Sequence, residues 1–170
     1  MKKNINPQAM QIAACLHDWL EYHVPSIKAC SKHTQRNYHI SMTLYAEFLR
    51  TVKGITPETL NANCFCKKNI EDWIVWMKKN RNCSPATCNV RLSALRAFLK
   101  YLSDCDISFV SVFLQAENVP NEKTPKRKVV GISKLAVDTL LSMPNQRTAI
   151  GFRDYMLMLL LYSTAVRINE

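Results

Sequence analysis

Asn89, Ser93, Arg96 and Lys100 recur at i, i+4, i+7 and i+11. At 100° per residue, that spacing gathers them into a sector of roughly 60° on one helix. The strip carries two permanent cations and no acid. Laid into a major groove, its Arg and Lys can reach phosphates or guanine edges, and its Asn can bond adenine through both amide atoms. Left in water, the same strip is a solvated helix face. Arg91 flanks the apolar stripe of the same helix and suits either role. A second cluster, Lys123, Lys126, Arg127 and Lys128, lies between Pro120 and Gly131. It suits phosphate contact or a solvated basic tether. A third candidate, Arg167, follows the apolar run Tyr155 to Val166; taken alone it is a cation near a helix C-terminus, where the helix dipole favours positive charge.

These side chains need elements to hold them. Ser84 as N-cap and Pro85 at the first helical position start a fourth helix, whose buried stripe is Cys88, Leu92, Leu95, Leu99 and Leu102. Before it, a first helix runs from Pro7, capped by Asn6, to Tyr22, and His-Val-Pro-Ser breaks it. A second spans about Lys32 to Val52, with Tyr38, Met42, Tyr45 and Leu49 on one apolar face. Its outward face, Arg36, His39, Thr43, Glu47 and Arg50, has mixed sign, so only its start, Thr34 to Asn37, suits phosphate, where helix-start amides point outward. A third helix, about Lys68 to Lys79, buries Ile70, Trp73, Ile74 and Met77. A short fifth lies near Ser108 to Gln115, a sixth runs from a Ser133 cap to Leu141, and the closing apolar helix opens at Thr148 or Phe152. Strand signals are scarce, and the expected class is all-α.

The charge balance narrows the partners. Lys and Arg number 23 against 13 Asp and Glu, a net +10, and residues 123–134 alone carry five bases and no acid. Such an excess suits a polyanion, because neutralising phosphates releases condensed counterions. The longest apolar run, about 12 residues, falls short of the roughly 20 a membrane span needs. The basic start Met1-Lys2-Lys3 leads into an amphipathic stretch rather than a signal core, so the expected setting is cytoplasmic. Seven cysteines without an export signal are expected as reduced thiols. Zinc is the alternative, but Cys64-Phe65-Cys66 and Cys83 with Cys88 lack knuckle spacing; no metal is expected.

Tyr155 to Val166 is apolar on nearly every side, and such a helix must be buried by neighbours. Only 36 residues lie between Leu135 and Glu170, below the roughly 40 at which a domain usually stands alone. The chain is therefore expected to be the first part of something longer.

The run Leu159-Leu160-Leu161-Tyr162-Ser163-Thr164-Ala165-Val166-Arg167-Ile168-Asn169-Glu170 resembles the "LLYxTGLRxSEL" box of the tyrosine recombinases, the phage-type integrases and Xer-like enzymes. Ser84 to Leu102 is similar to that family's second DNA-contacting helix and Thr34 to Leu49 to its first. The sequence departs from the commonest form where Ala165-Val166 replaces Gly-Leu and where Val90 stands in a frequently basic position.

The resemblance implies a SAM-like orthogonal core-binding domain of four to five helices over 1–115. It further implies a basic linker over 116–132 that crosses the DNA backbone, and the start of an incomplete catalytic domain over 133–170. The implied chemistry is transesterification at a DNA phosphodiester through a phosphotyrosyl link. Arg167 would be the first catalytic arginine and Glu170, one turn on, its support. Thr34, Arg36, Asn89, Arg91, Ser93, Arg96, Lys100, Lys123, Lys126, Arg127 and Lys128 would contact duplex DNA. Tyr162, five residues before Arg167 and about 140° away on one helix, is expected in the core rather than as a nucleophile, so no strand cleavage is expected of this chain alone. Other recombinase subunits on DNA are the expected partners, with no cofactor. The alternative is a non-catalytic helical interaction protein that docks its apolar C-terminus on a partner such as a full-length recombinase.

Overall fold

In a computed structural model, residues 6–27, 31–125 and 131–165 are described, and among them every regular element is helical. The chain divides into two compact units at Pro125.

In the first unit, α1 (Pro7–Asp18) starts where the Asn6 side chain accepts from the Gln8 amide at 3.0 Å. It does not stop at Tyr22. It continues as a π-helical segment, Trp19–Ile27, through Pro25. The wider i→i+5 turn brings Trp19 and Val24, five residues apart, into the core together. Trp19 stacks on Tyr38 at 4.9 Å and tilts against Phe98 at 5.5 Å. That packing accounts for a helix continuing where Pro25 would otherwise end it.

Helix α2 (Lys32–Val52) has the bounds the apolar periodicity predicts. Met42, Tyr45, Phe48 and Leu49 are buried and Tyr38 is half-buried. The helix closes on Gly54, whose φ of +66° lies in the left-handed region that glycine enters without a Cβ penalty. Short 3-10 turns follow, and Phe65 from one of them stacks on Tyr45 at 5.4 Å. The Tyr45 hydroxyl donates to the Cys64 carbonyl at 2.8 Å. Helix α3 (Lys67–Arg81) buries Ile70, Trp73, Ile74 and Met77, the four residues its spacing singles out. It ends at Asn82 with φ 49°.

Helix α4 (Pro85–Cys105) begins as expected, with Ser84 Oγ accepting from the Thr87 amide at 3.2 Å. Cys88, Leu92, Leu95, Leu99 and Leu102 are all buried, and Ala94 and Phe98 widen the stripe. The core thus gathers on α4, which packs along both α2 and α5 (Val110–Glu117). The unit does not stop at residue 115. Ala116 and Val119 are buried, and the first unit extends to Pro125. The stretch expected to open the linker is therefore folded onto α4.

The second unit holds α6 (Lys134–Ser142), capped by Ser133, and α7 (Ala149–Thr164), capped by Thr148. Gly151, in the first turn of α7, packs on the preceding loop, where a Cβ would sit 2.2 Å from the Asn145 carbonyl oxygen. Among the described residues of α7 only Gly151 is buried. Tyr162, expected in a core, is 56% exposed, and Leu135 on α6 is 78% exposed. One neighbouring helix cannot cover an apolar surface that runs around α7.

Candidate nucleic-acid interface

The predicted strip of α4 is split along its length. Ser93 and Lys100 are exposed, and Lys100 has no side-chain partner among the described residues. Asn89 and Arg96 turn the other way. The Asn89 side chain donates to the Glu122 carbonyl at 2.9 Å and accepts from the Glu122 amide at 2.8 Å. Lys78 binds the Glu122 carboxylate at 2.9 Å, closing the same corner.

Arg96 is engaged more heavily. Its Nε donates to the Ala116 carbonyl at 3.0 Å and its Nη1 to Asn121 Oδ1 at 3.0 Å. Nη2 reaches the carbonyls of Val119 and Glu117, and the Glu117 carboxylate lies 4.0 Å from Nε. The last carbonyls of a helix lack intrahelical partners, and one guanidinium fork supplies several here at the end of α5. Its side chain is only 17% exposed. Asn89 and Arg96, both expected to face DNA, are thus engaged within the fold instead of facing outward with Ser93 and Lys100. They sit at the edge of the polar sector that faces α5, and the docking of α5 turns that edge inward.

Arg91 also points away from the strip, into the corner between α3 and α4. Its Nη1 lies 2.8 Å from Cys83 Sγ and 3.8 Å from Met77 Sδ. It lines an open cleft of about 460 Å³ with His39, Ile40, Thr43 and Leu44 of α2 and with Arg81 and Cys83. Arg81 is the last residue of α3. The fold places its guanidinium 5.5 Å from the Trp76 ring centroid and pairs it with Glu47. No periodicity signal reveals that pairing, because its two members come from different helices.

At the start of α2, Thr34 is less available than its position suggests. Ser31 Oγ accepts from its amide at 3.3 Å and lies 3.1 Å from its hydroxyl. Arg36, two residues on, is exposed with no hydrogen bond or ion pair among the described residues. Lys123 is exposed beyond α5. Lys126, Arg127, Lys128, Arg167 and Glu170 lie outside the described residues.

Charge pairing decides which cations remain available. Lys53 binds Asp72 at 2.7 Å, Lys67 lies 3.8 Å from Glu71, Lys78 holds Glu122 and Arg81 holds Glu47. The outward cations Arg36, Arg50 and Lys100 have no such acid among the described residues. Burial pushes the Cys88 thiol above its ordinary value, as suits a structural cysteine within the core of α4. No described helix is long and apolar enough to cross a membrane.

Comparison with known proteins adds an independent line. The family profile described as "Phage integrase, N-terminal SAM-like domain" matches residues 16–104, from the last turn of α1 to the end of α4. The chain is 26% identical to the tyrosine recombinase XerC of Chlamydia caviae, over 92% of its own length and 53% of the relative's. It is 29% identical to the XerC of Chlamydia muridarum, over 92% and 52%. It is 24% identical to the putative integrase/recombinase y4rD of Sinorhizobium fredii, over 94% and 57%. The chain thus spans about half the length of the curated relatives it matches. No solved structure matches it.

Proposed function

The chain belongs to the tyrosine recombinases of the phage integrase type, and from that premise we propose that its helical unit grips duplex DNA through the outward faces of α2 and α4. The observation that carries this reading is the pattern of pairing. Lys53, Lys67, Lys78 and Arg81 are held by Asp72, Glu71, Glu122 and Glu47, whereas Arg36 and Lys100, on the two helices whose counterparts the family uses, have no acid partner among the described residues and are open to phosphate. Arg91, at the mouth of the α2–α4 cleft, is the third contact. Lys123, with Lys126, Arg127 and Lys128, continues the basic track along the backbone.

The contact set is therefore Thr34, Arg36, Arg91, Ser93, Lys100, Lys123, Lys126, Arg127 and Lys128. In the whole protein, Arg167 would stabilise charge on the scissile phosphate, since its planar, permanently charged fork bonds two phosphate oxygens at once. Glu170, one turn on, would hold that fork in place. The partners would be other recombinase subunits bound to the same DNA. Within this chain the contribution is DNA binding rather than cleavage. Tyr45, buried on the Cys64 carbonyl, and Tyr38, stacked on Trp19, serve the core of this unit. The test is binding of a fluorescent duplex by the full chain across a salt series. Affinity that falls steeply with salt supports the reading, and affinity indifferent to salt rejects it.

A further inference from the structure

With Asn89 and Arg96 engaged by the segment after α5, α4 presents an outward strip of unexpected chemistry. Its positions are Ala86, Val90, Ser93 and Lys100, with Ala97 half-buried among them. Asp104 lies one turn beyond Lys100, at the C-terminal end. Val90 is 52% exposed, although a β-branched residue on a helix surface is slightly unfavourable for the helix and gains little there from burial. The small side chains around it let the helix backbone approach a groove closely, and Lys100 on the same face can supply a phosphate contact beside that approach. In the major groove thymine is distinguished by its C5 methyl, which is read by apolar contact rather than by a hydrogen bond.

We propose that Val90, flanked by Ala86 and Ala97, is a specificity-determining contact that reads thymine C5 methyl groups in the major groove of the target duplex. The inference rests on the DNA-binding reading above and deepens it. Sequence preference at the α4 contact then comes from methyl packing, while Asn89 and Arg96 contribute only through the fold.

The test uses the full chain and duplexes enriched by it from a random-sequence library. The bound duplexes are resynthesised with deoxyuridine in place of thymidine, position by position, which removes only the methyl. At one or two positions wild-type affinity should fall about fourfold, the worth of one buried methyl-sized group. For Val90→Ala the same replacement should change affinity less than about 1.5-fold, because the packing partner is gone. Val90 is exposed, so this variant keeps its fold, which its fluorescence unfolding curve verifies. Three results overturn the proposal. In the first, deoxyuridine is tolerated at every position. In the second, the same fourfold loss persists in Val90→Ala. In the third, the chain binds DNA without enriching any sequence. A chain that binds no duplex overturns the DNA-binding reading itself and this inference with it.

Discussion

Replacing Arg96 by alanine separates two accounts of the same residue. As a phosphate contact, its loss would weaken DNA binding and leave the fold intact. The structure predicts the reverse emphasis. Arg96→Ala removes the donor for the carbonyls of Ala116, Val119 and Glu117 and for Asn121 Oδ1, at a site where the side chain is only 17% exposed. A charged hydrogen bond contributes about 1.5–3 kcal/mol net. Water can reach some of the released carbonyls, so the total should be about 2–4 kcal/mol rather than the full sum. With an m value of about 1.5 kcal/mol/M, the urea midpoint should fall by roughly 1.3–2.7 M. All three tryptophans, Trp19, Trp73 and Trp76, lie in the helical unit, so intrinsic fluorescence reports its unfolding directly. Arg96→Lys sharpens the test, because an ammonium keeps the charge but cannot reproduce the fork. Lysine should recover less than half of the lost stability. An unchanged urea midpoint for Arg96→Ala, together with weakened DNA binding that lysine rescues, would refute the capping argument.

Other substitutions probe the remaining parts of the account. Lys100→Ala should leave the urea midpoint unchanged and lower the magnitude of the salt slope for DNA binding by about 0.9, the signature of one lost phosphate contact. Leu95→Ala empties a fully buried position of α4 and should cost about 2–4 kcal/mol by urea unfolding. Asp106 is held below the ordinary carboxylate value, first by the Ser108 backbone amide and then by Gln11, whose side chain donates to it at 2.7 Å. A depressed folded pKa stabilises above the unfolded value and is lost as the pH falls through the folded one. The stability advantage of wild type over Asp106→Asn, measured by urea midpoints across a pH series, should thus be present at neutral pH and vanish as acid titrates this carboxylate.

The legible parts of the fold were those set by one helix at a time. The bounds of α2, the Ser84-Pro85 start of α4 and the buried stripes of α3 and α4 all follow from caps and a 3.6-residue period. What the period could not reveal is how wide a buried sector becomes when a second neighbour docks. Asn89 and Arg96 looked outward from the apolar stripe, and α5 with residues 118–122 covers that flank. The π-helical passage through Pro25 was illegible for a related reason, since it depends on Trp19 reaching Tyr38 and Phe98. The family resemblance was legible from short motifs, and the match over 16–104 agrees with it. The cleft of Arg81 and Arg91 was not, because the α3–α4 junction, α4 and α2 build it together.

The central claim, a helical unit and basic track that neutralise DNA phosphates, is tested most directly by the slope of log affinity against log salt for duplex DNA and the full chain. The account predicts a slope of about −4.5 to −6.3, from some five to seven phosphates neutralised at roughly 0.9 each. A slope near zero would contradict it.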